Sequence, residues 1–539
     1  MKNIPQLIDY FEDNFPEVTA IHDRGTEISY QDLARRSRQL AAGLLEKDIK
    51  KGDRIGLWLP NITAYMEAFL ACASVGAIVV SVNTKFKSFE MEDVVSRAGC
   101  KMLILWPTFK NIPFLNILSE VSADTLEDLE TIVFYGEGED MPLLPEELSQ
   151  KNICHFKDLV VEEPQILPLV DEADGLVIFT TSGTTGKPKF VLHSHMSVVR
   201  HAIEVVGNFG YESKDCRLLQ AIPLCGTFGL TQAIAGLVAG ATVFCLPVFD
   251  PAEGARLLSH YKITDMNGSD DMYAMLLDHA DTEIPFPTLK QGGFAAFNPA
   301  QSEIVERAEA RGINLYGLWG MSEVQAFVTH QAPDAPAALR KRAGGRLISP
   351  SAQLRITDPE TAQVLPHGEN GEIEIKTLSQ MTEYFLNPEA TQQTITDDGF
   401  IKTGDLGFQE DDRSFVFLSR MGDVLRLGGY LTDPAEIENC LQERADIHQA
   451  QVVGVETKKG TQAFAFVTGD ISSHFDEEDL ISHCTEKLAK YKVPVAIHAL
   501  DSFPMTESAN GIKIQRAKLR KEAVRIWSEK EKDGARTRN

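Results

Sequence analysis

Between about residue 28 and residue 340 the apolar positions switch back and forth between two spacings. Stretches 31–46 and 64–74 carry them every three or four residues, the spacing that gives a helix one buried face. Stretches 54–59 and 77–82 are short, β-branched runs bounded by turn residues and read as buried strands. Strands separated by helices of this length need crossover connections, so the region predicts mostly parallel sheets covered by helices. Segment 110–170 is less legible, with one strand near 131–135.

From 350 to 420 the texture turns to β, with strands at 353–358, 371–377 and 415–418. After Arg420 it changes again, to helix 434–443, strands 451–455 and 463–468, and helix 477–488, a compact α+β unit of ordinary domain size. The chain therefore divides into 1–420 and 421–539. Its final dozen residues, from Ser528, are charged and predicted to fray. Runs 68–82 and 229–249 have the hydropathy of membrane spans. The first is too short to cross a bilayer, and the second is interrupted by Gly236 and Gly240, with its tail 241–246 reading as a strand. Both are expected in the core.

A chain of 539 residues exceeds one hydrophobic core. The formal charge of -26 is spread along it, which opposes a nucleic-acid groove or an anionic membrane surface as partner. Cys72, Cys100, Cys154, Cys216, Cys225, Cys245, Cys440 and Cys484 form no CxxC pair and read as free thiols in a reducing compartment. The opening residues lack the basic and apolar regions of a secretory signal, so a cytoplasmic protein without a transmembrane segment is expected.

The chemistry concentrates first at Val177–Lys189, where an apolar strand runs into Thr181-Ser182-Gly183-Thr184-Thr185-Gly186-Lys187-Pro188-Lys189. Glycines let backbone N–H groups converge on an anion, hydroxyls add donors and lysines add charge. The glycine spacing is not that of a Walker A loop. The string resembles the phosphate-binding signature of the adenylate-forming superfamily: acyl- and aryl-CoA synthetases, luciferases and peptide-synthetase adenylation domains. The likeness runs along nearly the whole chain. It includes Gly52-Asp53-Arg54, Leu59-Pro60-Asn61, Trp319-Gly320-Met321-Ser322-Glu323, Thr403-Gly404-Asp405, Arg420, Gly428-Gly429 and Gly511-Ile512-Lys513-Ile514, in family order.

The resemblance implies an α/β fold. Its N-terminal part, 1–420, would have several subdomains with mixed, mostly parallel sheets and a small β-barrel-like region. A small mobile α+β domain, 421–539, would follow. It also implies ATP, Mg2+ and coenzyme A. Thr181, Ser182, Gly183, Thr184, Thr185, Gly186, Lys187 and Lys189 would hold the phosphates, with Thr184 counted as catalytic. Trp319, with Gly320, Met321 and Ser322, would border adenine, and Glu323 would bind Mg2+. Asp405 would accept the ribose hydroxyls, Arg420 would contact the ribose, and Lys513 would swing in to neutralise the reacting centre. Gly428 and Gly429 would line the pantetheine tunnel. Outside the resemblance these residues have plainer readings: a packing tryptophan, a turn-capping aspartate, a surface arginine and a basic patch around Lys513.

Three places depart from the family pattern. Gly422 stands at the hinge where Lys or Asp is usual. The gate reads Pro223-Leu224-Cys225-Gly226-Thr227-Phe228-Gly229, with Gly226 in place of histidine. The loops behind it carry Asn267-Gly268-Ser269-Asp270 and Gly292-Gly293-Phe294-Ala295. Cys225, Gly226, Phe228, Ser269, Phe294 and Ala295 are the expected substrate pocket, although helix capping equally accounts for Ser269 and Asp270. The expected activity is an AMP-forming acyl-CoA synthetase acting on a medium-to-long-chain fatty acid or an aryl or cyclic carboxylate. Loading of a carrier protein and a non-catalytic AMP-binding role are the alternatives. A homodimer is compatible with the sequence.

Overall fold

The computed structural model describes residues 1–536 apart from 122, 137–145, 162–165, 182–187, 214, 299–300, 423, 428–429, 458–459, 470–474 and 509–510. Three large sheets organise the first part of the chain. One has eight strands in the order Glu383–Tyr384, Lys189–Ser194, Gly175–Thr181, Ile78–Ser81, Arg54–Trp58, Cys100–Leu105, Thr131–Phe134 and Asn152–His155. From Gly175–Thr181 onward the neighbours run parallel, and the first two strands are antiparallel additions at the edge. Successive residues feed opposite cores. Leu57, Met102 and Ile104 pack on one side, and Trp58, Leu103 and Leu105 on the other. Burial of both faces is why these strands read as unbroken apolar runs.

The five-stranded sheet joins Asp265–Met266, Arg217–Gln220, Thr242–Cys245 and Thr19–Asp23 in parallel, with Thr26–Ser29 antiparallel at its edge. Both membrane-like runs lie in the interior. Every residue of helix Thr63–Ser74 except Thr63 is buried, as is all of helix Thr227–Val238, which precedes strand Thr242–Cys245. Among the described residues no helix is long and apolar enough to cross a membrane.

The third sheet begins parallel, with Gly268–Ser269, Gln291–Ala295 and Asn314–Met321. It continues antiparallel through Gln325–His330, Gly344–Leu347, Ser414–Arg420, Ile401–Asp411, Gly371–Lys376 and Gln353–Thr357. Gly268–Ser269 and Gln353–Thr357 are its two edges, so the expected barrel-like region is an open sheet.

From Leu425 onward the residues gather around two cores of their own, one on Leu427, Ile437 and Val452 and one on Val453, Phe464 and Ile526. Strands Ile447–Thr457, Gly460–Gly469 and Ala496–Ala499 form their sheet. The last dozen residues differ from expectation, because helix Arg516–Arg536 runs through most of them. Leu519, Ala523 and Ile526 are buried at helical spacing. Beyond them Arg525 pairs with Glu529, and Lys530 with Glu477, so charge contacts carry the helix onward.

Candidate active site

Strands Gly175–Thr181 and Lys189–Ser194 form a hairpin in which Thr181 pairs with Lys189. Ser182, Gly183, Thr184, Thr185, Gly186 and Lys187 lie outside the described residues, and Thr181 and Pro188 flank them. Arg97 holds the start of the returning strand, since the guanidinium lies 3.9 Å from the centroid of the Phe190 ring and donates to the Pro188 carbonyl.

Beside the hairpin stands Glu323, only 7% exposed. The Tyr384 hydroxyl donates to its Oε1 at 2.7 Å, and the Met381 amide donates to its carbonyl at 2.7 Å. Among the described residues no partner occupies Oε2. Tyr384 also carries Lys189, whose Nζ lies 4.4 Å from the centroid of the phenol ring. Below them His193 Nε2 meets the Ser322 carbonyl at 2.7 Å. Burial pulls the His193 pKa down to about 4, so the ring is a neutral hydrogen-bond donor there. Just beyond, Gln325 and Phe327 adopt φ of 69° and 64°, conformations that cost a bulky side chain energy. The Gln325 amide offsets this by donating to the carbonyls of Ser197 at 2.9 Å and Ser379 at 3.2 Å.

The second carboxylate is Asp405, 1% exposed. Trp319 Nε1 donates to its Oδ2 at 3.0 Å, and the Thr403 hydroxyl accepts from its amide at 3.1 Å. Arg420, its partner across the ladder, brings Nη1 to 2.8 Å from Oδ1. That contact lacks hydrogen-bond alignment, so Oδ1 is a buried acceptor with unused capacity. Burial raises the carboxyl to about 6, against the pull of Arg420 and of the Trp319 N–H, with the charges of Glu323 and Glu372 adding to the rise. Glu372 supports the turn by accepting from the Gly404 amide at 3.1 Å, where φ is +67°. The Trp319 ring is largely buried, edge-on to Phe415 at 5.2 Å. Gly320 is exposed next to it and meets the Ala326 backbone so closely that a Cβ would lie 2.6 Å from Ala326 Cα. Met321 and Ser322 are partly exposed.

The expected pocket residues divide into two sets. Cys225 is partly exposed, and Gly226 is the N-cap of helix Thr227–Val238, without a side-chain cap. Phe228 packs on Phe327, ring centroids 4.9 Å apart. Burial pushes the Cys225 thiol up to about 12, which leaves it protonated and a poor nucleophile. Ser269 is used in capping, accepting from the Met272 amide at 3.2 Å. Phe294 lies in the core with Tyr273 and Leu315, and Ala295 ends its strand partly exposed. Asp270, whose neighbourhood the sequence left to capping, has a larger task. Its carboxylate accepts from the amides of Phe297 at 2.9 Å, Asn298 at 2.8 Å and Asp271 at 2.9 Å, pinning the loop after strand Gln291–Ala295.

In the C-terminal unit Lys513 sits on strand Gly511–Ile514, opposite Thr506 of strand Met505–Ser508. Its description stops at the backbone. Gly428 and Gly429 lie outside the described residues. Gly422 is exposed, with open space where a Cβ would stand, and its carbonyl accepts from Arg520 Nη2 at 2.9 Å.

Sequence reasoning missed Tyr384, Arg97 and Glu372. None lies in a signature string: Tyr384 and Glu372 are placed by strand pairing, and Arg97 follows the helical turn Glu92–Ser96 and reaches Phe190 and Pro188 across the fold, contacts that no local pattern reveals. Among the described residues no group of three or more His, Cys, Asp or Glu is placed to hold a metal.

The model of the AMP-binding enzyme family matches residues 9–385, and that of its C-terminal domain matches residues 436–510. The chain is 29% identical to the mitochondrial medium-chain acyl-CoA ligase of Danio rerio, over 91% of this chain and 82% of the relative. It is 27% identical to a methyl-dioxo-octahydroindenyl-propanoyl:CoA ligase of Rhodococcus jostii, over 93% of this chain and 95% of that enzyme. Its fold matches ATP-bound MatB from Rhodopseudomonas palustris with a TM-score of 0.80 at 24% identity, over 97% of this chain and 100% of that one. With both family models matched in order and the relatives aligned nearly end to end, the chain belongs to the AMP-binding enzyme family.

Proposed function

We propose that this chain is an ATP-dependent acyl-CoA synthetase, an acid–thiol ligase of the AMP-forming type. A carboxylate and ATP give an acyl-adenylate and pyrophosphate, and coenzyme A then gives the acyl-CoA and AMP. Family membership and the names of the relatives support this class. One observation carries the reading, two buried carboxylates each held in its own set of contacts. Glu323 is joined through Tyr384 to Lys189, and Asp405 is held by Trp319 and Arg420.

Each of the two sets suits one part of a nucleotide. Adenylation brings two anions together, so positioning and charge compensation dominate its barrier. Thr181, Thr184, Lys187 and Lys189 supply donors and charge for the phosphates. Asp405 has a buried oxygen able to accept from a ribose hydroxyl. Trp319 and Gly320 border the base. Glu323 fits Mg2+, because it offers a hard oxygen with no protein partner among the described residues, and such a cation needs few protein ligands when phosphates complete its shell. A cation bound there would withdraw charge from the phosphate oxygens. Lys513 neutralises the reacting centre, and 421–539 is the mobile unit that brings it in and later presents Gly428 and Gly429 to coenzyme A.

For the acid, a medium-to-long-chain fatty acid or an aryl or cyclic carboxylate is proposed. The relatives are named for medium-chain and bicyclic acyl groups, and Gly226 presents no side chain at the gate. A cytoplasmic location is in keeping with eight free thiols. The test is ATP–pyrophosphate exchange across a panel of carboxylates, followed by AMP release with coenzyme A or with a phosphopantetheinyl carrier protein as acceptor. Exchange with some acid and release with coenzyme A are expected. No exchange with any acid would refute the reading, and release with the carrier alone would reassign the acceptor.

A further inference from the structure

We infer that Tyr384 is a positioning residue that sets the distance between Lys189, at the start of strand Lys189–Ser194, and the cation-binding carboxylate of Glu323. This rests on the acyl-CoA synthetase reading of the site. Strand Glu383–Tyr384 is two residues long and lies at the edge of the eight-stranded sheet, paired with Lys189–Ser194, the strand that leaves the loop. Edge pairing fixes the Tyr384 backbone to that of Val191, so the residue travels with the loop exit. The residue is 2% exposed, and two of its side-chain contacts, of different kinds, reach the site. The ring face takes the Lys189 ammonium, and the hydroxyl donates to Glu323 Oε1. The same segment reaches Glu323 a second time through the Met381 amide.

A carboxylate free to rotate about its last torsion presents either oxygen to a cation. Fixing Oε1 with a short hydrogen bond commits Oε2, and partners of this kind tune the affinity of a ligand for its metal. A rotamer change at Glu323 would break the bond to Tyr384, and a shift of the loop exit would carry Tyr384 with it. Lys189 and the metal ligand are thus held in one register.

Tyr384→Phe keeps the ring beneath Lys189 and removes only the hydroxyl. Tyr384→Leu removes both. Binding of Mn2+ in the presence of ATP, followed by electron paramagnetic resonance of the bound ion, reads the carboxylate directly and needs no turnover. Tyr384→Phe is expected to weaken Mn2+ affinity about tenfold, the lower end of the range for losing such a partner, and to raise the Mg2+ concentration at half-maximal pyrophosphate exchange in parallel. Thioester formation from supplied acyl-adenylate and coenzyme A, a step without pyrophosphate chemistry, should be unchanged in Tyr384→Phe. Tyr384→Leu should also raise KM for ATP. Unaltered Mn2+ affinity in Tyr384→Phe would overturn the inference. So would an equal loss in both half-reactions with a lowered Tm, which marks a fold defect. Absence of exchange in the unsubstituted enzyme would instead strike the functional reading, which Mn2+ binding does not depend on.

Discussion

Trp319 and Asp405 stand 86 positions apart in the chain, yet the indole N–H donates to the buried carboxylate at 3.0 Å. The bond joins strand Asn314–Met321 to strand Ile401–Asp411, the two that carry the proposed adenine and ribose contacts. Trp319→Phe keeps most of the packing against Phe415 and deletes the donor. Leaving a buried acceptor unsatisfied costs about 1–3 kcal/mol. The variant is therefore expected to lower unfolding stability by that order and to weaken ATP binding roughly tenfold, since each 1.4 kcal/mol is a factor of ten. Calorimetric titration with ATP and denaturant unfolding check the two effects separately.

Under the proposed function, the same carboxylate should give nucleotide binding a pH dependence. With its pKa raised to about 6, Asp405 is increasingly protonated as pH falls through that value, and a protonated carboxyl accepts ribose hydroxyls poorly. ATP affinity should be flat above pH 7, fall between pH 6.5 and 5 by roughly tenfold per unit at the low end, and be accompanied by proton release on binding. The effect on folding runs the other way. A carboxyl raised in the folded state contributes stability that is full below its unfolded value of 3.8 and is lost as pH rises through about 6. Asp405→Asn should accordingly be as stable as the parent enzyme or more so at pH 8 while losing ATP binding and its pH dependence. Thermal melts and titrations across pH 5–8 distinguish these outcomes.

The connection between Trp319 and Asp405 also marks how far the sequence can be read. The parallel strands were legible because burial on both faces makes Arg54–Trp58 and Cys100–Leu105 apolar throughout, and the family was legible because the string from Thr181 to Lys189 is peculiar to it. Tyr384 was not. Its strand has two residues, and its importance comes from lying next to Val191 at a sheet edge, a fact of long-range pairing. The tail failed for a related reason. Its charges read as a solvated end, whereas Lys530 reaches Glu477 and extends the helix. Phe294 and Ser269 were assigned to the pocket by their place in the chain, and their side chains serve a core and a helix cap.

Asp270 is expected to matter to more than its own helix. Its carboxylate accepts three backbone amides, two of them from the loop after strand Gln291–Ala295. Asp270→Ala would remove the acceptor of all three hydrogen bonds, and the loss should reach about 2 kcal/mol. Asp270→Asn retains one acceptor oxygen and should lose less. Hydrogen exchange confined to residues around Phe297 and Asn298 would locate the damage.

Gly422 has neither a left-handed φ nor a crowded Cβ position in this arrangement, so nothing here requires glycine. If the residue is needed, it is needed while 421–539 turns. Gly422→Ala should leave stability and pyrophosphate exchange within about twofold, as expected of a surface substitution at an open site, and should slow thioester formation by several-fold. Single-turnover measurement of the two half-reactions is the check. Equal rates in both would mean that the hinge lies elsewhere.

Gly226 caps helix Thr227–Val238 without a side chain, at the point where the family carries an imidazole. Gly226→His would restore a ring at the N-cap of helix Thr227–Val238, which the proposed function assigns to the pocket. The ring takes up space that a large acid would need, and it leaves a small acid its room. Steric exclusion of a few methylenes is worth about 1–3 kcal/mol, or 10–200-fold. The kcat/KM for long or bicyclic acids should therefore fall by at least tenfold, with that for short acids changing by less than about threefold. Cys225→Ser is the companion control. A thiol held at about 12 takes no covalent part, so activity should persist with the ranking of acids intact. A uniform loss across all acids in Gly226→His would place the acyl group away from this helix and move the search for the pocket to another face of the sheet.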